Sequence, residues 1–133
     1  MEEQTSRGRI LFVDDEESIR LTLPRLLAKN GFEVTSLARL DDALAEIRAQ
    51  PYDVLLSDLN LPEIDGGFVV IEEMRKNHPH CVNFILTGYP AQESIQRAKA
   101  HEVAHFFIKP VEIKDLVQTI KEKLYVRDSR RPD

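Results

Sequence analysis

The chain has 133 residues, 42% of them hydrophobic, which is the length of one domain with enough apolar mass for a core without cross-links. A formal charge of -5 argues against direct nucleic-acid binding by this domain, and the single cysteine, Cys81, excludes an internal disulfide. No apolar stretch approaches the roughly 20 residues needed to span a bilayer. The first nine residues lack the apolar core of a signal peptide, so a cytoplasmic setting without membrane contact is expected.

In chain order, residues 1–8 read as a frayed or disordered leader, residues 9–126 as the folded domain, and the charged stretch 127–133 as a tail or the start of a linker. Ile10-Leu11-Phe12-Val13 is a short continuous apolar run that predicts a strand buried on both faces. Ile19, Leu23, Leu26 and Leu27 then recur at helical spacing until Asn30-Gly31 supplies a stop. Pro24 lies inside that pattern and, lacking an N–H, is expected to bend the helix. Residues 32–37 are a more polar strand suited to a sheet edge. Residues 41–49 form a helix turning Ala43, Leu44 and Ile47 inward, closed by Pro51. A second buried run, Val54-Leu55-Leu56, leads to Ser57-Asp58 and a loop of turn residues through Gly67. Residues 68–77 are helical with Phe68, Ile71 and Met74 inward, and His78-Pro79 ends them. Phe84-Ile85-Leu86 is the fourth strand, residues 91–101 the fourth helix, and Phe106-Phe107-Ile108 the fifth strand. Residues 111–126 form the last helix, with Ile113, Leu116, Val117, Ile120 and Leu124 as its buried stripe.

Strand and helix thus alternate five times, and right-handed crossovers make this a doubly wound α/β fold, (βα)5, with a five-stranded parallel sheet. In such sheets ligands bind beyond the carboxyl ends of the strands. Four of the runs stop at reactive side chains: Asp14-Asp15, Asp58, Thr87 and Lys109. Three converging carboxylates repel one another unless a cation joins them. A hard divalent ion with oxygen ligands, Mg2+ first and Mn2+ second, resolves that repulsion and leaves positions for water or phosphate oxygens. Asp58 is placed to attack phosphorus and form an acyl phosphate, while Lys109 and Thr87 can hold the phosphoryl oxygens. Gly88 lets backbone approach the ligand closely. Blander readings stand beside these: Asp14-Asp15 as a helix-capping pair, Thr87 as a cap for the fourth helix, and Phe106 and Phe107 as core aromatics. His78, His80, His101 and His105 show no metal-ligand spacing with Cys81.

Asp14-Asp15, Asp58, Thr87 and Lys109-Pro110, in that order and at strand ends, resemble the receiver domain of bacterial response regulators, the CheY-like superfamily of two-component systems. The segment from Asp58 to Gly66 resembles that family's phosphorylation loop, and the likeness covers roughly residues 9 to 125. The resemblance implies a flavodoxin-like strand order 2-1-3-4-5 and a signalling phosphoacceptor rather than an enzyme with a separate substrate. It implies Asp58 as acceptor from a sensor histidine kinase or histidine phosphotransfer protein. Asp14, Asp15, Asp58 and the Asn60 carbonyl would serve the metal, with Asp14 acting mainly through water, and Lys109 would pair with the phosphoryl group across a cis Lys109-Pro110 bond. Thr87 and Phe106 would switch the face made by the fourth helix, fifth strand and fifth helix, through which a homodimer could form. Asn60 and Tyr89 would tune phosphate lifetime.

Three positions depart from the family pattern. Phe106 replaces a common tyrosine, Gly67 reads as an extra residue after the loop, and Glu102 stands where glycine is frequent. A left-handed conformation would cost Glu102 roughly 1 kcal/mol. Two other functions stay open at this point: a phosphorylation-independent interaction module, and a small haloacid-dehalogenase-type phosphohydrolase with its nucleophile after the first strand. An output domain beyond Asp133 is also open.

Overall fold

The computed structural model describes residues 8–130. Residues 1–7 and 131–133, most of the expected leader and part of the expected tail, lie outside the described residues. Five strands and five helices alternate: β1 Gly8–Val13, α1 Glu17–Lys29, β2 Phe32–Leu37, α2 Leu40–Ala49, β3 Val54–Ser57, α3 Gly66–Asn77, β4 Val82–Thr87, α4 Gln92–Ala100, β5 His105–Ile108 and α5 Ile113–Arg130. All neighbours pair in parallel, in the order β2-β1-β3-β4-β5.

Alternation along the buried strands divides the core into two layers. Ile10, Phe12, Val54, Leu56, Phe84 and Leu86 pack with Leu23 and Leu27 of α1 and with Leu116, Ile120 and Leu124 of α5. Leu11, Val13, Leu55 and Ile85 point the other way, onto Ala43 and Ile47 of α2 and Phe68, Ile71 and Met74 of α3. This explains the unbroken apolar runs: successive side chains leave opposite faces, and helices cover both.

Several details differ from expectation. β5 is an edge strand with only Phe107 buried, Phe106 half-buried, and His105 and Ile108 exposed, because no strand pairs beyond it. Leu26 is exposed, since the stripe i, i+4 through Leu23 and Leu27 already fills the contact. α3 begins two residues early, at Gly66, and α5 continues to Arg130, so Arg127 to Arg130 are helical rather than frayed. The extension is held by Arg127, which donates to Asp53 Oδ1 at 3.1 Å and to Asp128 at 2.9 Å. Glu102 does adopt the left-handed region, with φ 59°. The Lys109-Pro110 bond is cis. No helix among the described residues is long and apolar enough to cross a membrane.

Candidate functional site

Register builds the site. Val13 of β1 is paired with Ser57 of β3, so the next residues, Asp14 and Asp58, leave adjacent strands side by side. Ser57 is paired with Ile85, which sets Thr87 at the β4 end, and Thr87 with Ile108, which sets Lys109 one residue beyond. Backbone bonds extend the sheet just past these points: Asp58 N donates to the Val13 carbonyl at 2.9 Å and Lys109 N to the Thr87 carbonyl at 2.8 Å.

The result is an acidic cleft of about 480 Å³ lined by Asp15, Glu16, Asp58, Asn60, Gly88, Tyr89 and Lys109. Carboxylate oxygens of Asp14, Asp15 and Asp58 all lie within 4.8 Å of one another. Asp14 is wholly buried and Asp58 nearly so, whereas Asp15 is exposed. Lys109 reaches across with Nζ 2.9 Å from Asp14 Oδ2, 3.2 Å from Glu16 Oε1 and 3.8 Å from Asp58 Oδ2. Burial alone would lower its pKa, but Asp14 first, then Asp58 and Glu16, outweigh that and hold the ammonium above its ordinary value.

Asp58 shows the opposite balance. Its pKa is pushed up to about 6, first by burial and then by the charges of Asp14 and Asp15. The hydrogen bond from Asn60 N to Oδ1, at 3.1 Å, and the Lys109 charge offset this only in part. This donor set fits a hard divalent cation: three carboxylates, no sulfur or nitrogen ligand, and one side open to water. Asp14 Oδ2 is buried and already charge-paired with the Lys109 ammonium at 2.9 Å.

Thr87 is buried beside this cluster, and its Oγ1 accepts from Asn60 Nδ2 at 2.7 Å and from Tyr89 N at 3.3 Å. Asn60 thus engages Asp58 through its backbone N–H and Thr87 through its side chain. All four expected strand ends therefore meet in one place. Phe106 lies apart, half-buried on the α3 side of the sheet, and Tyr89 stands 81% exposed at the cleft wall.

Two features escaped the sequence reading, the contact of Glu16 and the packing need for Gly67. Glu16 is a direct partner of Lys109, and the acidic run from Asp14 to Glu17 was the available signal. Gly67 is required by space: a Cβ there would sit 2.5 Å from the Asp58 carbonyl oxygen and 2.7 Å from Leu59 Cα. No local pattern reveals a contact of that kind.

A doubly wound sheet whose strand ends converge as an acidic, lysine-crossed cleft could hold a divalent cation beyond the carboxyl ends of its strands. Residues 10–121 match the response regulator receiver domain family. Among relatives, the transcriptional regulator NtrC of Salmonella typhimurium is 28% identical over 95% of this chain and 27% of its own length. The sensor kinase CckA of Brucella abortus is 31% identical over 90% of this chain and 13% of its own. A CheY-like receiver domain protein from Methanospirillum hungatei superposes with a TM-score of 0.87 at 30% identity, covering 92% of this chain and 98% of that one. The chain belongs to the response regulator receiver domain family. It is a signalling domain of two-component systems, whose members interact with histidine kinases, and it spans about a quarter or less of these two curated relatives. Family membership sets aside the phosphohydrolase reading.

Proposed function

We propose that Asp58 is the phosphoacceptor, taking a phosphoryl group from a phosphohistidine of a sensor kinase or phosphotransfer protein. A carboxylate oxygen of Asp58 attacks phosphorus and the P–N bond breaks. The imidazole leaves with the bonding pair and picks up a proton. Lys109 neutralises an oxygen of the transferred group, and the Thr87 hydroxyl, released from Asn60, donates to another. Mg2+, or Mn2+ in its place, held by Asp14, Asp15, Asp58 and the Asn60 carbonyl, would supply the remaining positive charge. The observation that carries this reading is the nearly buried Asp58 carboxylate, flanked by two other acids and 3.8 Å from an ammonium.

Recruitment of Thr87 by the phosphoryl group would draw in the loop ahead of α4, with Phe106 moving behind it, and reshape the α4-β5-α5 face toward a homodimer or an output domain. The names of the relatives support two contexts, a transcriptional regulator or a sensor kinase, and a cytoplasmic setting is part of the proposal. Loss of the phosphoryl group would be the domain's own reaction, with Asn60 and Tyr89 bordering the water's path. The test is incubation with Mg2+ and acetyl phosphate, followed by intact mass. Wild type gains one phosphoryl group and Asp58→Asn gains none; equal labelling of both would refute the assignment.

A further inference from the structure

Lys109 is the only cation lining the cleft among the described residues, and it is shared by three carboxylates. Asp14 and Asp58 belong to the acidic cluster, but Glu16 does not. It stands just ahead of α1, and its Oε1 accepts from Lys109 Nζ at 3.2 Å, closer than the 3.8 Å between that nitrogen and Asp58. The Glu16 backbone is anchored, its N donating to Asp14 Oδ1 at 2.9 Å, while its half-exposed side chain has Ser18 Oγ 3.4 Å from Oε2. In the resting protein the ammonium therefore leans toward the β1–α1 loop, and Glu16 adds a negative charge at the mouth of an already acidic cleft.

We propose that Glu16 is a positioning residue that selects among phosphodonors, withholding Lys109 from small anionic donors. The proposal rests on Asp58 being the acceptor. A phosphate dianion entering the cleft must take Lys109 from Glu16 while approaching the charge of Glu16 itself. A protein donor brings an extended contact surface that offsets this cost, whereas a small molecule has only its phosphoryl group to bind with. With acetyl phosphate the transfer is an exchange of carboxylates. Asp58 bonds to phosphorus, the P–O bond to the acetyl group breaks, acetate leaves with the electron pair, and no proton is needed.

The test compares wild type, Glu16→Gln and Glu17→Gln, each full length with saturating Mg2+, by the rate of phosphoryl uptake measured by mass. Donors are acetyl phosphate and the less negatively charged phosphoramidate. Glu17 begins α1, is exposed, and shows no contact with Lys109, so its substitution changes net charge alone. Glu16→Gln is expected to accept acetyl phosphate roughly three- to tenfold faster at low ionic strength. The gain should be smaller with phosphoramidate and should vanish near 1 M salt, where the Debye length falls to about 3 Å. Glu17→Gln should match wild type. Equal rates for Glu16→Gln and wild type, a gain insensitive to salt, or the same gain in Glu17→Gln would overturn the role of Glu16 while leaving Asp58 as acceptor. Failure of every chain to gain phosphate would instead remove the acceptor assignment, and the role of Glu16 with it.

Discussion

Asp58 is held in a conflict that only a ligand relieves. Burial and the neighbouring acids raise its pKa to about 6 in the folded protein, above the value near 3.8 of an unstrained aspartate. The native state therefore binds the proton more tightly than the unfolded chain. The favourable contribution is complete below the unfolded value and is lost as pH rises through about 6. At pH 7.5 without metal, Asp58→Asn should be more stable than wild type by on the order of 1–3 kcal/mol in urea unfolding. The difference should shrink toward pH 4, and a gap independent of pH would contradict the cause given. Gly67 makes a second residue-scale prediction. A methyl group there collides with backbone of the loop between β3 and α3. Gly67→Ala should lose about 1–3 kcal/mol, as overpacking typically does, and should also shift the Asp58 and Asn60 amide resonances.

Among the elements, α3 and α4 are tied across the end of the loop between β3 and α3. Arg97 of α4 donates to Asp65 at 2.8 Å and lies over the Phe68 ring at 4.2 Å, while His101 packs on the same ring at 5.0 Å. Asp65 adopts φ 58° and directly precedes α3, so the link joins the loop that begins at Asp58 to the helix that follows Thr87. At the other end of the sheet, Asp53 fastens α5 by accepting from Arg9 N at 2.8 Å and from Arg127 at 3.1 Å. Arg127 is largely sheltered and Asp53 about one-third exposed, so the bond should weaken with salt somewhat less than a fully exposed pair. Arg127→Met should cost about 1 kcal/mol. It should also speed amide exchange in the last turn of α5 while leaving the amides of β1 and β3 protected. Unchanged exchange there would show that packing of Leu124 alone holds the helix.

For the whole molecule, a cation confined to the native cleft must raise stability by mass action. At about tenfold its dissociation constant, Mg2+ should add about 1.4 kcal/mol. That corresponds to a rise in Tm of roughly 3–5 °C for a domain of this size. Scanning calorimetry should show the rise in wild type, its reversal by chelator, and its loss in Asp15→Ala, whose exposed carboxylate makes no hydrogen bond or ion pair among the described residues. An equal rise in Asp15→Ala would place the cation elsewhere.

The amino-acid sequence by itself determined the alternation of elements, the two-sided burial of β1, β3 and β4, and the four reactive residues at strand ends. Those features follow from local rules: apolar periodicity, helix stops, and the two-residue repeat of a strand. It also marked Glu102 as the position where glycine's conformation would be adopted by another side chain. Only the tertiary structure decided that Glu16 shares Lys109 with Asp14, that Gly67 is needed for close approach to Asp58, and that Arg127 carries α5 onward to Arg130. Each of these joins residues far apart in the chain or depends on a gap a few tenths of an ångström wide. Register and packing in three dimensions fix such contacts, and no pattern along one dimension encodes them.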